Sequence, residues 1–249
     1  MQGTSLKEPN DAARLGAKDK PVSFLLIGNS HAQSVAPVVD DLACQFDMAG
    51  ILNWEGLMPF LGMTRETSDE DVSDMRRLLE AYLTENKIKN IICVARMDQV
   101  WELAAGGKVI YQGEQLSPDK VAMVFEKELA ALLSLLASDG RNVWVMEQVP
   151  RADVNPIVAV RVIRDYTEAA KPEPHNRILD KVVANLGLPN LYVFSTRDFF
   201  VKDGRVHFTA GNKLLYFDDN HLSVEGAFHI RPVFLPIFEA MARERQSPE

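Results

Sequence analysis

Two short segments near opposite ends of the 249-residue chain carry side chains suited to acyl chemistry. The first is Ile27-Gly28-Asn29-Ser30-His31-Ala32, where a serine stands just beyond an apolar run. Open α/β sheets bind ligands at the carboxyl ends of their strands, which is where Ser30 would lie. Gly28 permits a tight turn and close approach of another group, and the Ser30 backbone N–H falls where a helix start leaves donors free for an oxyanion hole. The same segment also reads as a strand-to-helix turn with Ser30 as an ordinary cap. The second segment is Tyr216-Phe217-Asp218-Asp219-Asn220-His221-Leu222-Ser223-Val224-Glu225-Gly226-Ala227. An Asp three residues before a His can accept a hydrogen bond from the imidazole Nδ1 and leave Nε2 aimed at a serine hydroxyl. The alternative for this segment is a solvated turn of Asp218, Asp219 and Asn220, with Ser223 capping the last helix.

The elements that must position these groups follow an α/β pattern. From Val22 onward, short β-rich apolar runs alternate with stretches of helical period, as in a mainly parallel sheet covered on both faces. Five core strands are expected: Ser23 to Ile27, Met48 to Leu52, Asn90 to Ala95, Asn142 to Met146 and Leu191 to Phe194. Between them, Ser68 with Asp71 resembles a capping box, and Val72, Met75, Leu79 and Tyr82 follow at helical spacing. Ser117 as N-cap, Pro118 at the first helical position and Gly140 past the end bracket another helix. A last helix from about Val224 to Arg243 must kink or split at Pro232 and Pro236. Met1 to Lys20 reads as a flexible lead-in and residues 21–249 as one domain, with no internal repeat.

Composition narrows the function. The chain has 27 Lys+Arg against 35 Asp+Glu, a formal net charge of −8, which argues against a nucleic-acid partner. With 47% hydrophobic and 25% charged residues it is an ordinary globular composition. The longest apolar run, Leu129 to Ala137 interrupted by Ser134, is far short of the roughly 20 residues of a membrane span and reads as core. No stretch has the form of a signal peptide. Cys44 and Cys93 form neither a disulfide framework nor a zinc cluster and read as small buried hydrophobes. His175, His207 and His229 have no metal-ligand spacing, and a surface or half-buried place is the default for them. Glu66, Asp69, Glu70, Asp71 and Asp74 gather at a helix amino terminus, where the dipole favours them, so no metal site is assigned there. His31 adjoins Ser30, and neighbouring side chains rarely face each other, so it is a poor base for that serine.

The serine block near the first strand and the carboxy-terminal D-x-x-H block together resemble the SGNH (GDSL-type) hydrolase superfamily. The strings GNSHA, IICVARM, VWVMEQVP and LLYFDDNHLSVEGA, in that order, are similar to the SGNH domains fused to acyltransferase-3 membrane proteins that O-acetylate bacterial surface polysaccharides. The resemblance implies a three-layer α/β/α fold around a central, mainly parallel five-stranded sheet. It implies Ser30 as nucleophile, His221 as general base and acid, and Asp218 as the group that orients it. Asp219 is the competing carboxylate, but two residues from His221 it tends to point elsewhere on a turn.

The sequence departs from that pattern in places. Asn29 stands where an aspartate is usual, Met97 stands where tryptophan commonly follows the arginine, no G-x-N-D block supplies an oxyanion asparagine, and Phe199 to Phe208 lacks the usual cysteine pair. Backbone N–H groups of Ser30 and of a glycine after the second strand are the substitute oxyanion donors, Gly56 first and Gly50 as the alternative. Arg96, at the end of the third strand, either contacts the site or its acyl group, or forms a structural ion pair. The stretch from Pro150 to Asn176, with Arg151, Arg161 and Arg164, is expected to be a mobile cover over the serine.

The expected function is therefore acetyl transfer to a hydroxyl of a cell-envelope glycan, through an acyl-serine and without a cofactor or metal. The donor would come from a membrane acyltransferase domain at the extracytoplasmic, periplasmic face of the bacterial inner membrane. The rival readings are a carbohydrate acetylesterase and a catalytically weak glycan-binding module on the same fold.

Overall fold

The computed structural model describes residues 14–53, 59–63, 69–152, 154–161, 166–168 and 174–246. Six strands build the central sheet: β1 (Arg14–Gly16), β2 (Val22–Gly28), β3 (Ala49–Asn53), β4 (Asn90–Val94), β5 (Asn142–Met146) and β6 (Leu191–Phe194). Their order is β1-β3-β2-β4-β5-β6, parallel throughout except for the edge strand β1, which runs antiparallel to β3. The five expected strands form the parallel part. The sixth comes from the stretch read as lead-in: Arg14, Leu15 and Gly16 pair with Ile51, Gly50 and Ala49, and Leu15 is buried. Three residues with one apolar side chain leave no periodic signal, so only the open edge of β3 reveals them.

Main helices cover both faces. One layer holds α1 (Ser30–Gln45), α6 (Val224–His229) and α7 (Arg231–Gln246), and the other holds α2 (Asp69–Glu85), α4 (Val121–Leu136) and α5 (Pro174–Leu186). A short α3 (Gln99–Ala105) follows β4. Alternation along the strands divides the core. Leu25, Ile27, Ile91, Cys93, Val143 and Val145 pack with Leu79, Phe125, Leu129 and Leu132. Phe24, Leu26, Ile92, Val94, Trp144 and Met146 pack with Val38, Leu42, Phe234 and Phe238 on the other side.

Several local expectations are corrected. Cys93 is buried in β4, but Cys44 is exposed, because α1 turns Val38, Val39, Leu42 and Ala43 to the sheet and Cys44 away. The helix expected from Pro118 starts at Val121, since residues 117–120 form a turn in which the Lys120 N–H donates to the Ser117 carbonyl. The last helix splits at Ile230, with Pro232 falling in the first turn of α7, where its missing N–H costs nothing. Ser68 lies outside the described residues, as do Glu66 and Arg164.

The glycine that ends β2 is required by a close approach. A Cβ on Gly28 would lie 1.7 Å from the Val94 carbonyl oxygen, so β2 and β4 can run out side by side only without one. Gly28→Ala is expected to destabilise by about 3 kcal/mol, lowering the Tm by roughly 6–12 °C in a thermal melt. An unchanged Tm would show that the strand ends separate freely.

Candidate active site

Ser30 is the first residue of α1, at the carboxyl end of β2, and its side chain is exposed. Asn29 caps the helix: its Oδ1 accepts from the His31 N–H at 3.0 Å and from the Arg96 N–H at 3.1 Å, while its Nδ2 donates to the Arg96 carbonyl at 3.3 Å. The serine turn is thereby tied to the loop after β4.

Asp218 and His221 sit on a loop closed by an antiparallel bridge between Tyr216 and Leu222, with the Phe217 N–H donating to the His221 carbonyl. The Asp218 carboxylate organises this loop. Its Oδ1 accepts the backbone N–H groups of Asn220 (2.9 Å) and His221 (2.7 Å), and its Oδ2 accepts from His221 Nδ1 at 2.7 Å. Burial works to raise the Asp218 pKa, but these hydrogen bonds outweigh it and hold the carboxyl below its usual range. His221 Nε2 lies 2.7 Å from Ser30 Oγ. A hydroxyl, an imidazole and a carboxylate in this relay can move a proton from the serine as it attacks a carbonyl.

Asp219, the competing carboxylate, turns away and accepts from Arg151 Nη2 at 2.9 Å and from Asn220 Nδ2 at 2.8 Å. Arg96 is half-buried, and its guanidinium pairs with Asp98 and Glu102, the structural ion pair of the two alternatives. It reaches the serine turn through its backbone. Gly56 lies outside the described residues. Gly50 is taken up by the sheet, paired with Phe24 on one side and Leu15 on the other, and a Cβ there would sit 2.2 Å from the Phe24 ring. It is a packing glycine near the start of β3, level with Phe24 and away from the strand end that carries Ser30.

The stretch expected as a mobile cover begins as a clamp. Tyr216, fully buried, donates its hydroxyl to the Pro150 carbonyl at 2.7 Å, and the Ala152 N–H donates to the Asp219 carbonyl at 2.8 Å. Between them Arg151 also binds Asp98 (3.0 Å) and Glu102 (2.7 Å). Arg161 is exposed. Met97, buried in the core, and Asp98 both donate backbone N–H groups to Gln148 Oε1, at 2.9 and 3.1 Å.

Sequence reasoning missed three participants. His31 is 2% exposed, and its Nε2 lies 3.0 Å from Asn220 Oδ1, so the residue set aside as a base for Ser30 and a residue given no role beyond the alternative turn meet beside the relay. Arg151 was assigned to a cover rather than to Asp219. The one available signal was the pairing of dipeptides, Ser30-His31 against Asn220-His221. His175 also departs from expectation: it is fully buried, with its ring 6.2 Å from that of Trp101. Among the described residues, no group of three or more His, Cys, Asp or Glu is arranged to hold a metal ion, and no helix is long and apolar enough to cross a membrane.

A family model described as the SGNH domain fused to AT3 domains matches residues 2–236. No curated protein matches the sequence. The structure is similar to the periplasmic domain of a lipopolysaccharide acetyltransferase from Salmonella ser. Paratyphi A, with a TM-score of 0.61 at 11% identity over 90% of this chain and 85% of that one. It is also similar to a candidate acylhydrolase from Bacteroides fragilis, with a TM-score of 0.50 at 13% identity over 96% and 94% of the two chains. At these identities the likeness establishes a shared fold.

Burial lowers the pKa of both His31 and His175 to about 4, against opposing contributions from the Asn220 hydrogen bond and from Asp98 respectively. Both rings are neutral in the fold, so below pH 6.5 the unfolded chain binds protons that the folded chain refuses. The stability they secure is complete above pH 6.5 and is lost as the pH falls toward 4, by about 3 kcal/mol for each ring. The Tm is expected to fall by roughly 10 °C or more between pH 7 and pH 4.5, and His175→Phe to remove about half of that dependence. A variant with the same slope as the parent would contradict this account.

Proposed function

The chain belongs to the family of SGNH domains fused to AT3 domains, whose chemistry is acyl transfer or ester hydrolysis; on that premise we propose that it transfers an acetyl group to a hydroxyl of a cell-envelope polysaccharide through an acyl-serine. The observation that carries this reading is the relay Ser30–His221–Asp218, with both contacts at 2.7 Å.

In the first half-reaction Ser30 Oγ bonds to the acetyl carbonyl carbon while its proton passes to His221 Nε2. The carbonyl oxygen becomes an oxyanion, stabilised on this reading by the N–H of Ser30 at the start of α1, with Gly56 as the second donor expected from the sequence. The intermediate expels the donor's alcohol, which takes the proton from His221. In the second half the acceptor hydroxyl attacks the acyl carbon, its proton goes to His221, and Ser30 leaves with that proton restored. Asp218 holds the imidazole with Nδ1–H toward the carboxylate and offsets the positive charge that His221 gains.

The family premise supports a membrane acyltransferase partner domain, and the proposal takes that domain as the source of the donor and the glycan hydroxyl as the acceptor. On this reading the domain works at the extracytoplasmic face of the bacterial inner membrane. A net charge of −8 is compatible with a neutral sugar acceptor and does not by itself favour one. One observation favours ester hydrolysis as the second reading. Ser30 is exposed, and transfer requires the bound acceptor to exclude water from the acyl-serine. The short Nε2 to Oγ contact weighs against a module that only binds glycans.

Labelling by a serine-directed phosphonate is expected at Ser30 and to be lost in Ser30→Ala. Asp218→Asn should lower turnover of an acetyl ester by about 10³- to 10⁴-fold, and Asp219→Asn by less than about tenfold. Equal losses in the two would reject the assignment of the orienting carboxylate. An acetyl-ester donor with added oligosaccharide should yield acetylated sugar at the expense of free acetate. Unchanged acetate release with no acetylated sugar would leave hydrolysis as the function.

A further inference from the structure

Among the described residues, two side-chain hydrogen bonds join the serine turn to the loop that carries His221. One contact is the Ser30 Oγ to His221 Nε2 hydrogen bond, which is open to solvent. The other lies one residue along in each segment, between His31 Nε2 and Asn220 Oδ1 at 3.0 Å, and is buried: His31 is 2% exposed and Asn220 6%. An exposed hydrogen bond competes with water and holds geometry poorly, whereas a buried one has no alternative partner. The second contact is therefore better placed to set the distance at which the first operates.

The chemistry of the contact is fixed by its neighbours. Asn220 Nδ2 donates to Asp219 Oδ1 at 2.8 Å, and a carboxylate can only accept, so the amide is held with its oxygen toward His31. His31 must then donate from Nε2. Its backbone N–H is bonded to Asn29 Oδ1 in the first turn of α1, so the ring is referenced to the same helix start as Ser30.

The circuit closes on itself. From Asn220 it runs through Asp219 to Arg151, from Arg151 to Asp98 and Glu102, from these to the Arg96 guanidinium, and from the Arg96 backbone to Asn29. Every junction is a hydrogen bond or ion pair, so displacing Asn220 requires breaking the ring on both of its sides. The ring of His31 also stands 5.0 Å from that of His221, edge to face. A positive charge on His31 would oppose the imidazolium that His221 becomes when it takes the serine proton, and burial of His31 keeps it uncharged at neutral pH.

We propose that His31 and Asn220 are a pair of positioning residues, whose buried hydrogen bond holds the His221 imidazole in line with Ser30 Oγ. The proposal rests on the acyl-serine reading above. It predicts an effect on the chemical step with little effect on substrate binding, because both side chains are buried.

The test uses the full chain, with p-nitrophenyl acetate turnover and the rate of Ser30 inactivation by a fluorophosphonate as readouts. His31→Leu and Asn220→Ala should each lower kcat and the inactivation rate by up to about 100-fold, with KM within about threefold, as expected for a misplaced base. His31→Gln, which keeps an N–H donor near the Nε2 position, should return to within about fivefold of the parent. The double variant should be no slower than the slower single, since both remove one contact. The proposal is overturned if His31→Gln is as slow as His31→Leu, if the two single losses multiply in the double, or if both singles match the parent. Should His31→Leu fail to fold, Asn220→Ala with His31→Gln decides: a slow Asn220→Ala beside a near-normal His31→Gln supports the pair, and any other outcome rejects it. Ser30→Ala separates the two levels. If it keeps full turnover the acyl-serine reading fails; if it is inactive while Asn220→Ala is normal, only the positioning pair fails.

Discussion

The contact between Ser30 Oγ and His221 Nε2 joins segments 191 residues apart, and the rest of the structure is arranged around keeping it at 2.7 Å. The contact cannot maintain itself, because it is exposed and water can replace either partner. Rigidity has to come from buried groups on each side. On the serine side, Gly28 lets the ends of β2 and β4 come together, and Asn29 ties the turn to Arg96. On the histidine side, the fully buried Tyr216 and the clamp of Pro150, Arg151 and Ala152 hold the loop against the end of β5. A site is only as well placed as the groups behind it.

The same arrangement decides which of two adjacent carboxylates can serve the imidazole. Asp98, Glu102 and Asp219 share the guanidinium groups of Arg96 and Arg151, so the charge of Asp219 is already committed. Asp218 receives two backbone N–H groups and the His221 Nδ1–H. Its charge is thus the nearest one uncommitted to an arginine and available to stabilise an imidazolium. An Asp three residues before a His brings the carboxylate back over the turn, while one two residues before is turned outward, here toward Arg151. The division of labour is thus set by loop geometry and by where the arginines stand.

How much of this could be read from the sequence follows from the range of each interaction. The five parallel strands were legible because burial on both faces demands continuous apolar runs, such as Asn90 to Val94 and Asn142 to Met146. The relation of Asp218 to His221 was legible because it is local. Strand β1 was not, since Arg14–Gly16 has one apolar residue and its reason for being a strand lies in β3. Nor was the start of α4, because Ser117 and Pro118 suit a turn as well as a helix cap. His31 with Asn220, and Arg151 with Asp219, lay beyond reach because each pair is brought together only by the closed fold, 189 and 68 residues apart. A polar residue paired over such a distance leaves no periodicity in its neighbourhood.

The departure at Asn29 becomes intelligible on the same terms. Its side chain accepts two backbone N–H bonds, from His31 and Arg96, and donates one to the Arg96 carbonyl. An aspartate could accept the first two but could not donate the third, and its oxygen would face a carbonyl oxygen. The amide therefore does two tasks: it caps the helix that begins at Ser30, and it grips both backbone polar groups of one residue, Arg96, beyond β4. That grip matters because the Arg96 side chain is the near end of the ion-pair chain through Asp98, Glu102 and Arg151 to Asp219. With Asn29 at one end and His31 with Asn220 at the other, the residues that flank Ser30 on either side reach the loop that carries His221 by two separate routes. A displacement of that loop relative to Ser30 must then strain both routes at once, which is how a solvent-exposed contact can keep a fixed length.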